Sequence, residues 1–214
     1  MPKPPRKPRP KTHRQKLQQV NHPKRGSSIK VEPIRDMADI RAIKSLLAHE
    51  PRNLCLFVFG INTAFRANEL LSIRIGQIRH LQAGDTLSLK QSKNHQYRRV
   101  TLNLAVIEAT RRWLAHHPNP DDHAPLFLSQ RTGSALRVPA LNRLVKRWCA
   151  NAGLSGNYGS HTLRKTWGYQ HRVQLDTPIP LLMQTYGHAT QQQTLEYLGI
   201  QDKEIEQVYL ELNL

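Results

Sequence analysis

The spacing of apolar residues after residue 35 predicts helices in the first part of the chain. Asp36 stands where a capping residue begins a helix. The apolar face of that helix consists of Met37, Ile40, Ile43, Leu46 and Leu47. Pro51 opens a second segment that is apolar almost all round, which predicts a helix buried on every side.

A change of period in the middle of the chain predicts a β-hairpin. Leu87 and Leu89 alternate with polar residues, as do Val100 and Leu102, and a polar connection joins the two runs. Lys93 falls in or beside the turn.

Helical spacing returns after the hairpin. The two apolar faces are formed by Leu104, Ile107, Thr110 and Leu114, and by Val138, Leu141, Val145 and Trp148. Shorter helical patterns follow, separated by Gly159, Gly187 and Gly199, and an amphipathic stretch runs from Ile205 to Leu212. The predicted fold class is mainly α with a small antiparallel β-sheet.

Charge adds a partner and a domain boundary to this pattern. The 214 residues include 32 Lys and Arg but 15 Asp and Glu, a net charge of +17. This excess favours a polyanion as partner, with nucleic acid ahead of a membrane surface. Residues 1–30 hold ten of the basic residues, six prolines and no acid, which predicts a disordered basic arm. We expect residues 31–214 to form one domain, and because their charge is still positive, to contact DNA as well.

The remaining composition favours a cytosolic protein, or one that works on a chromosome. Cys55 and Cys149 both lie in apolar patterns, which suits buried thiols better than a disulfide. The longest apolar run, from Leu54 to Ile61, is far below the roughly 20 residues of a membrane span. No apolar segment follows the N-terminal charges, so we expect no secretory signal.

The first candidate chemistry lies at His161 and Arg164, which are three residues apart and would share one helix face. Gly159 and Ser160 precede them and favour a helix start, where phosphate binds readily. Taken alone, such a pair is equally typical of a solvated helix surface.

Three further segments change that interpretation. Arg66 is followed by Glu69, Tyr186 and Gly187 precede His188, and Tyr197 stands nine residues after that histidine. With His161 and Arg164, these segments resemble the tyrosine recombinase (phage integrase) family. The resemblance runs from about residue 36 to the C-terminus.

This resemblance implies a role for each matching residue. Arg66 and Arg164 would clamp the scissile phosphate with His161 and His188 beside it, Lys93 would be the hairpin lysine, and Tyr197 the nucleophile. Glu69 would orient its neighbours. Paired guanidiniums suit the oxygens of a phosphodiester in the transition state. The family's reaction passes through a covalent 3′-phosphotyrosyl intermediate without a cofactor or metal.

The family's partner is double-stranded DNA, on which four protomers assemble over two sites. Most members carry a separate DNA-grasping domain before the catalytic one, whereas we expect only the basic arm here, so the chain resembles the short type that consists of a catalytic domain alone. Either the basic arm or an accessory DNA-binding protein would replace that domain. The stretch from Ile205 to Leu212 would dock on a neighbouring protomer or pack in its own chain.

Two positions depart from the family pattern. Ala64 stands where a glycine is usual, and Asn94 and His95 follow Lys93 where the hairpin often has a glycine. Lys90 is therefore the alternative hairpin lysine. A noncatalytic DNA-binding protein on the same fold, or a nicking and closing enzyme like the type IB topoisomerases, are the competing functions. The sequence leaves the DNA target, and the choice among integration, excision and inversion, open.

Overall fold

The computed structural model describes residues 31–90 and 97–199, together with Glu206, Tyr209 and Leu210. The helices are α1 Met37–Leu46, α2 Pro51–Thr63, α3 Ala67–Leu71, α4 Leu104–Leu114, α5 Val138–Asn151, α6 Ser160–Leu175, α7 Ile179–Tyr186 and α8 Gln191–Leu198. A single 3₁₀ turn covers Ile75–Gln77. The predicted arm, residues 1–30, lies outside the described residues.

Two antiparallel strands, β1 Thr86–Lys90 and β2 Tyr97–Thr101, form the sheet. Leu87 pairs with Val100, and Leu89 pairs with Arg98. The mainly α fold with a small antiparallel sheet is therefore confirmed. The connection between the strands, residues 91–96, lies outside the described residues.

Two predicted helix starts, at Asp36 and Pro51, are confirmed, and the structure adds a cap at Asn103. Asp36 occupies the N-cap position of α1, although its side chain makes no capping hydrogen bond. Pro51 is the first residue of α2, where its missing N–H costs nothing. Asn103 caps α4 by accepting a hydrogen bond from the backbone N–H of Val106 at 3.1 Å.

Most of the buried apolar side chains form one large core. Helix α2 lies at its centre and packs against α4 and α6, and α5 packs against α1 and α6. The core includes Phe57, Phe59 and Trp148. Gly60 brings α2 against α6 so closely that a Cβ there would lie 2.5 Å from Cδ1 of Leu163. Both cysteines are buried free thiols.

The predicted apolar faces were partly wrong at their ends. Met37 and Leu46 of α1 are 42% and 49% exposed, and Leu104 at the start of α4 is 58% exposed. Met37 and Leu104 are the first residues of their helices, and the buried face of α1 is formed by Ile40 and Ile43 and continued by Leu47, so Leu46 lies off that face.

A small aromatic cluster lies apart from the large core, between α6, α7 and α8. It consists of Ala64, Leu182, Tyr186 and Leu198, with Trp167, Tyr169, Ile179 and Tyr197 packed against it. Gly168 makes room for Tyr186, since a Cβ at that glycine would lie 1.9 Å from the tyrosine hydroxyl. Among the described helices, none is long and apolar enough to cross a bilayer.

Candidate active site

Arg66 is positioned by the turn that joins α2 to α3. Its backbone N–H donates to Oε2 of Glu69 at 2.7 Å, and its Nη1 lies 3.1 Å from Oε1 of the same carboxylate. Glu69 is buried, whereas the Arg66 side chain is 42% exposed. The carboxylate therefore orients a guanidinium that remains open to a ligand, as expected of Glu69 from the sequence.

Arg164 is held in a different way, because backbone carbonyls are its acceptors. This residue of α6 is only 3% exposed. Its Nη1 donates to the carbonyl oxygen of Ala64, and its Nη2 donates to that of Tyr186 at 2.7 Å. Carbonyls satisfy the donors without neutralising the charge, so the cation stays available to an anion.

Ala64 can offer its carbonyl to Arg164 because it ends α2 in the left-handed conformation, with φ 51° and ψ 19°. Glycine adopts this conformation without the Cβ penalty, which gives a physical reason for the glycine that is usual at this position. The alanine keeps the geometry at a modest conformational cost.

His161 lies one turn before Arg164, at the exposed start of α6. Partial burial, and then the charges of Arg164, Lys165 and Arg66, lower its pKa below the ordinary value. The imidazole is therefore neutral at pH 7 and able to accept a proton.

His188 follows Gly187, which ends α7 in the left-handed conformation. Its Nδ1 lies 3.1 Å from Oγ1 of Thr194, and its ring stacks on that of Tyr186 with centroids 5.0 Å apart. Burial, and then the charges of Arg164 and Arg66, lower its pKa to about 4.

Tyr197 projects from α8 into this group of residues. Its ring meets those of Tyr186 and His188 edge to face, at 5.2 and 5.1 Å, and Nζ of Lys165 lies 4.8 Å from its centroid. Its buried hydroxyl makes no hydrogen bond of full geometry with the described residues, although the Arg164 guanidinium lies close enough to donate to it. Burial raises the pKa of Tyr197, and the charge of Arg164 and this weak hydrogen bond oppose that rise. A buried hydroxyl without a well-formed hydrogen bond is costly, so a ligand at this position would relieve that cost.

The structure thus groups four of the six predicted site residues, Arg66, Arg164, His188 and Tyr197, and places His161 near enough to Arg66 and Arg164 for their charges to lower its pKa. The sixth, Lys93, lies outside the described residues. The backbone of Lys90, the alternative, pairs with Tyr97 at the open end of the sheet, and the structure does not describe its side chain.

Two basic residues of this site were missed in the sequence. Arg98 of β2 is 9% exposed and lies 3.8 Å from the Glu69 carboxylate. The strand pattern could have revealed it, because Arg98 has the same parity as Val100 and Leu102 and so faces inward. Lys165, which lies over the Tyr197 ring, is 7% exposed, and its sequence position carries no comparable signal.

No group of histidine, cysteine or acidic side chains suited to a metal ion is found in the described part of the chain. Two histidines that follow α4 contact backbone carbonyls. Nδ1 of His116 lies 2.9 Å from the carbonyl oxygen of Arg112, and Nε2 of His117 lies 3.2 Å from that of Pro125.

A helical domain with a small sheet, carrying two arginines and two histidines around a half-buried tyrosine, defines the class of the tyrosine recombinases. The model of the phage integrase family matches residues 34–204. The chain belongs to this family.

Similar proteins and structures agree with this assignment. The chain is 30% identical over 174 residues to the probable integrase/recombinase YoeC of Bacillus subtilis (strain 168), covering 80% of the chain and 91% of that relative. It is 25% identical over 169 residues to the tyrosine recombinase XerC of Proteus mirabilis, covering 78% of the chain but 53% of that relative.

Solved structures share the fold. The XerA recombinase superposes with a TM-score of 0.68 at 18% identity, over 84% of this chain and 65% of that one. The XerH recombinase in a post-cleavage complex with its palindromic difH substrate gives 0.66 at 24% identity, over 86% and 54%. The chain therefore spans only part of these longer recombinases.

Proposed function

We propose that this chain cleaves and rejoins DNA strands through a covalent bond between Tyr197 and the 3′ phosphate at the cleavage point. The observation that carries the proposal is the buried hydroxyl of Tyr197, which makes no hydrogen bond of full geometry, lies within reach of the Arg164 guanidinium and is flanked by His188. A phosphate held by Arg66 and Arg164 would give that hydroxyl a target and neutralise the uncompensated charge.

The reaction is a transfer of the phosphoryl group from one oxygen to another. The hydroxyl oxygen of Tyr197 attacks the phosphorus, and the bond from phosphorus to the 5′ oxygen breaks. Burial keeps the tyrosine protonated at neutral pH, so a base must take its proton, and neutral His161 is suited to this. Rejoining reverses these steps with a new 5′ hydroxyl, and the bond energy is conserved in the phosphotyrosyl link.

Two arginines supply the charge that the transition state requires. As negative charge grows on the nonbridging oxygens, guanidiniums placed in advance stabilise it without reorganising. Within the described residues, the Glu69 carboxylate contacts Arg66 and Arg98, whereas Arg164 is held by backbone carbonyls and interacts with Glu69 only as a more distant charge. The site therefore keeps a net positive charge for the phosphate.

The test is a nicked suicide substrate that contains the repeats flanking the gene, since loss of the short cleaved strand traps the intermediate. The wild-type protein should form a covalent protein–DNA adduct, and Tyr197→Phe should form none while still binding the DNA. Tyr209→Phe is the matched control, because Tyr209 is 81% exposed. A wild-type protein that binds this DNA without forming an adduct would favour the noncatalytic alternative.

Lys93 is the proposed general acid for the departing 5′ oxygen. A 5′ alkoxide is a poor leaving group and must be protonated as it departs. A 5′ thiolate, whose parent thiol has a pKa of about 8.5, departs without protonation. Lys93→Ala should therefore cleave ordinary DNA slowly and recover on DNA with sulfur at the 5′ bridging position, while Arg66→Ala should stay slow on both. Recovery of Lys90→Ala in place of Lys93→Ala would transfer the role to Lys90.

The partner we propose is double-stranded DNA, with four protomers on two sites. One structural neighbour, a lambda integrase, is a dimer bound to a core site. Residues 1–30 would add affinity by releasing counterions, so their deletion should flatten the dependence of log affinity on log salt. Of the stretch from Ile205 to Leu212, the described residues Glu206, Tyr209 and Leu210 are exposed in the single chain, which favours neither mode of docking.

A further inference from the structure

Arg98 is a buried guanidinium to which the proposed reaction gives no step. It lies on β2 opposite Leu89, with 8% of its side chain exposed. Burial, and then the like charge of Arg164, lower its pKa to about 10. Burying a charged group is unfavourable unless its partners compensate, and an apolar side chain of similar size is often at least as stable. The contacts of the Arg98 guanidinium therefore indicate why a cation, and not an apolar side chain, occupies this position.

The contacts of Arg98 join three separate segments of the site. Its Nη2 donates to the carbonyl of Ala64 at 3.1 Å and to that of Thr185 at 2.7 Å. Its Nη1 lies 3.8 Å from Oε2 of Glu69. The first carbonyl ends α2, the second immediately precedes Tyr186 in α7, and the carboxylate belongs to α3.

Each arginine of the proposed clamp shares an acceptor with Arg98. The Ala64 carbonyl also accepts from Nη1 of Arg164. The Glu69 carboxylate also holds Arg66, through both its backbone N–H and its guanidinium. Arg98 thus contacts the groups that support both clamp residues.

We propose that Arg98 is a positioning residue that fixes Arg66 and Arg164 relative to each other, and that connects the hairpin strand to them. The proposal rests on the proposed cleavage reaction. Without Arg98, Glu69 would lose one of its buried cations, and the Ala64 carbonyl would lose one of its two guanidinium donors. A displacement of about 1 Å in a reacting group can cost about a hundredfold in rate.

The first test compares Arg98→Met with Arg52→Met. Arg52 is a matched control, because it is 6% exposed and donates to a backbone carbonyl, that of Leu128, at 2.8 Å within the large core. At saturating DNA, Arg98→Met should lower the single-turnover cleavage rate by about ten- to a hundredfold with little change in Kd. Arg52→Met should lower the Tm but leave the cleavage rate of the folded protein unchanged.

A neutral substrate separates positioning from general damage. Replacing one nonbridging oxygen of the scissile phosphate by methyl removes the charge that the clamp must hold. The ratio of wild-type to Arg98→Met rates should therefore be smaller on methylphosphonate DNA than on ordinary DNA. Glu69→Gln should show the same reduction, and combining it with Arg98→Met should cost less than the two separate defects added.

The outcomes distinguish this inference from the proposed reaction. If Arg98→Met cleaves at the wild-type rate, or is equally slow on both substrates, Arg98 does not position the clamp. If Arg98→Met does not fold, Arg98→Lys keeps a cation that cannot reach all three acceptors, and the same comparison of substrates applies to it. Failure of the wild-type protein to form an adduct on ordinary DNA would contradict the proposed reaction itself.

Discussion

The buried arginines of the large core and of the small aromatic cluster differ in the segments that their hydrogen bonds join. In the large core, Arg52 donates to the Leu128 carbonyl and to its chain neighbour Asn53. Beside the aromatic cluster, Arg164 binds carbonyls from two other segments, those of Ala64 and Tyr186. Arg52 thus joins its own helix to one distant segment, whereas Arg164 joins its helix to two others.

This difference indicates that folding stability and chemistry reside in different parts of the same domain. The large core buries aromatic and aliphatic side chains from α1, α2, α4 and α5, which is the main source of stability in a domain of this size. The aromatic cluster buries only a few side chains but carries the convergent charges. Changes in the first region should alter the free energy of unfolding, and changes in the second should alter the rate of cleavage.

The largest effect on stability is expected at Phe57, whose ring meets that of Trp148 edge to face at 6.0 Å in the large core. Phe57→Ala should destabilise the protein by about 3–5 kcal/mol, because it removes buried area and leaves a cavity. Denaturant unfolding measures this loss. The cleavage rate, measured at a temperature at which the variant is folded, should be unchanged; a slow reaction there would break the separation between the two regions.

The two clamp arginines should affect the cleavage rate alike but the stability differently. Arg66→Ala and Arg164→Ala should each slow cleavage by about 10²–10³, the usual cost of removing one charge-stabilising donor. Only Arg164→Ala should also lower the Tm, because it leaves the buried carbonyls of Ala64 and Tyr186 short of a donor, whereas Arg66 is 42% exposed. Near-normal cleavage by either variant, in a single-turnover assay, would remove that residue from the clamp.

A smaller effect should appear in the dependence of stability on pH. The pKa of His188 is about 4 in the folded protein and about 6.5 when unfolded. Between pH 4 and pH 6.5 the unfolded chain binds more protons at His188 than the folded protein does. The contribution of His188 to the free energy of unfolding is therefore fully present above pH 6.5 and is lost as the pH falls toward 4. His188→Gln should flatten that part of a urea-unfolding profile. An unchanged acid limb would show that His188 is not held neutral.

Local signals in the sequence predicted much of the fold but not the way in which the site is connected. Asp36 and Pro51 predicted helix starts from residue preferences that depend only on near neighbours. The position of Arg98 depends on Glu69, 29 residues away, and on Thr185, 87 residues away. No local sequence pattern predicts which distant carbonyl or carboxylate compensates the charge of an inward-facing side chain.

The same limit applies to Tyr197, for which the sequence supplied only a spacing. Its separation from His188 identified a candidate nucleophile through a resemblance. The incomplete hydrogen bonding of its hydroxyl, and its position under Lys165, depend on how α6, α7 and α8 pack together. Those contacts give the candidate a physical reason to react.

The most direct test of the account is to identify the atom that carries the DNA. The adduct trapped on the nicked substrate would be digested with nuclease and protease, and the modified peptide sequenced by mass spectrometry. We expect the nucleotide on Tyr197, joined to the phenol oxygen through the 3′ phosphate. A nucleotide on Tyr209 or Tyr186, or a link through a 5′ phosphate, would contradict the account.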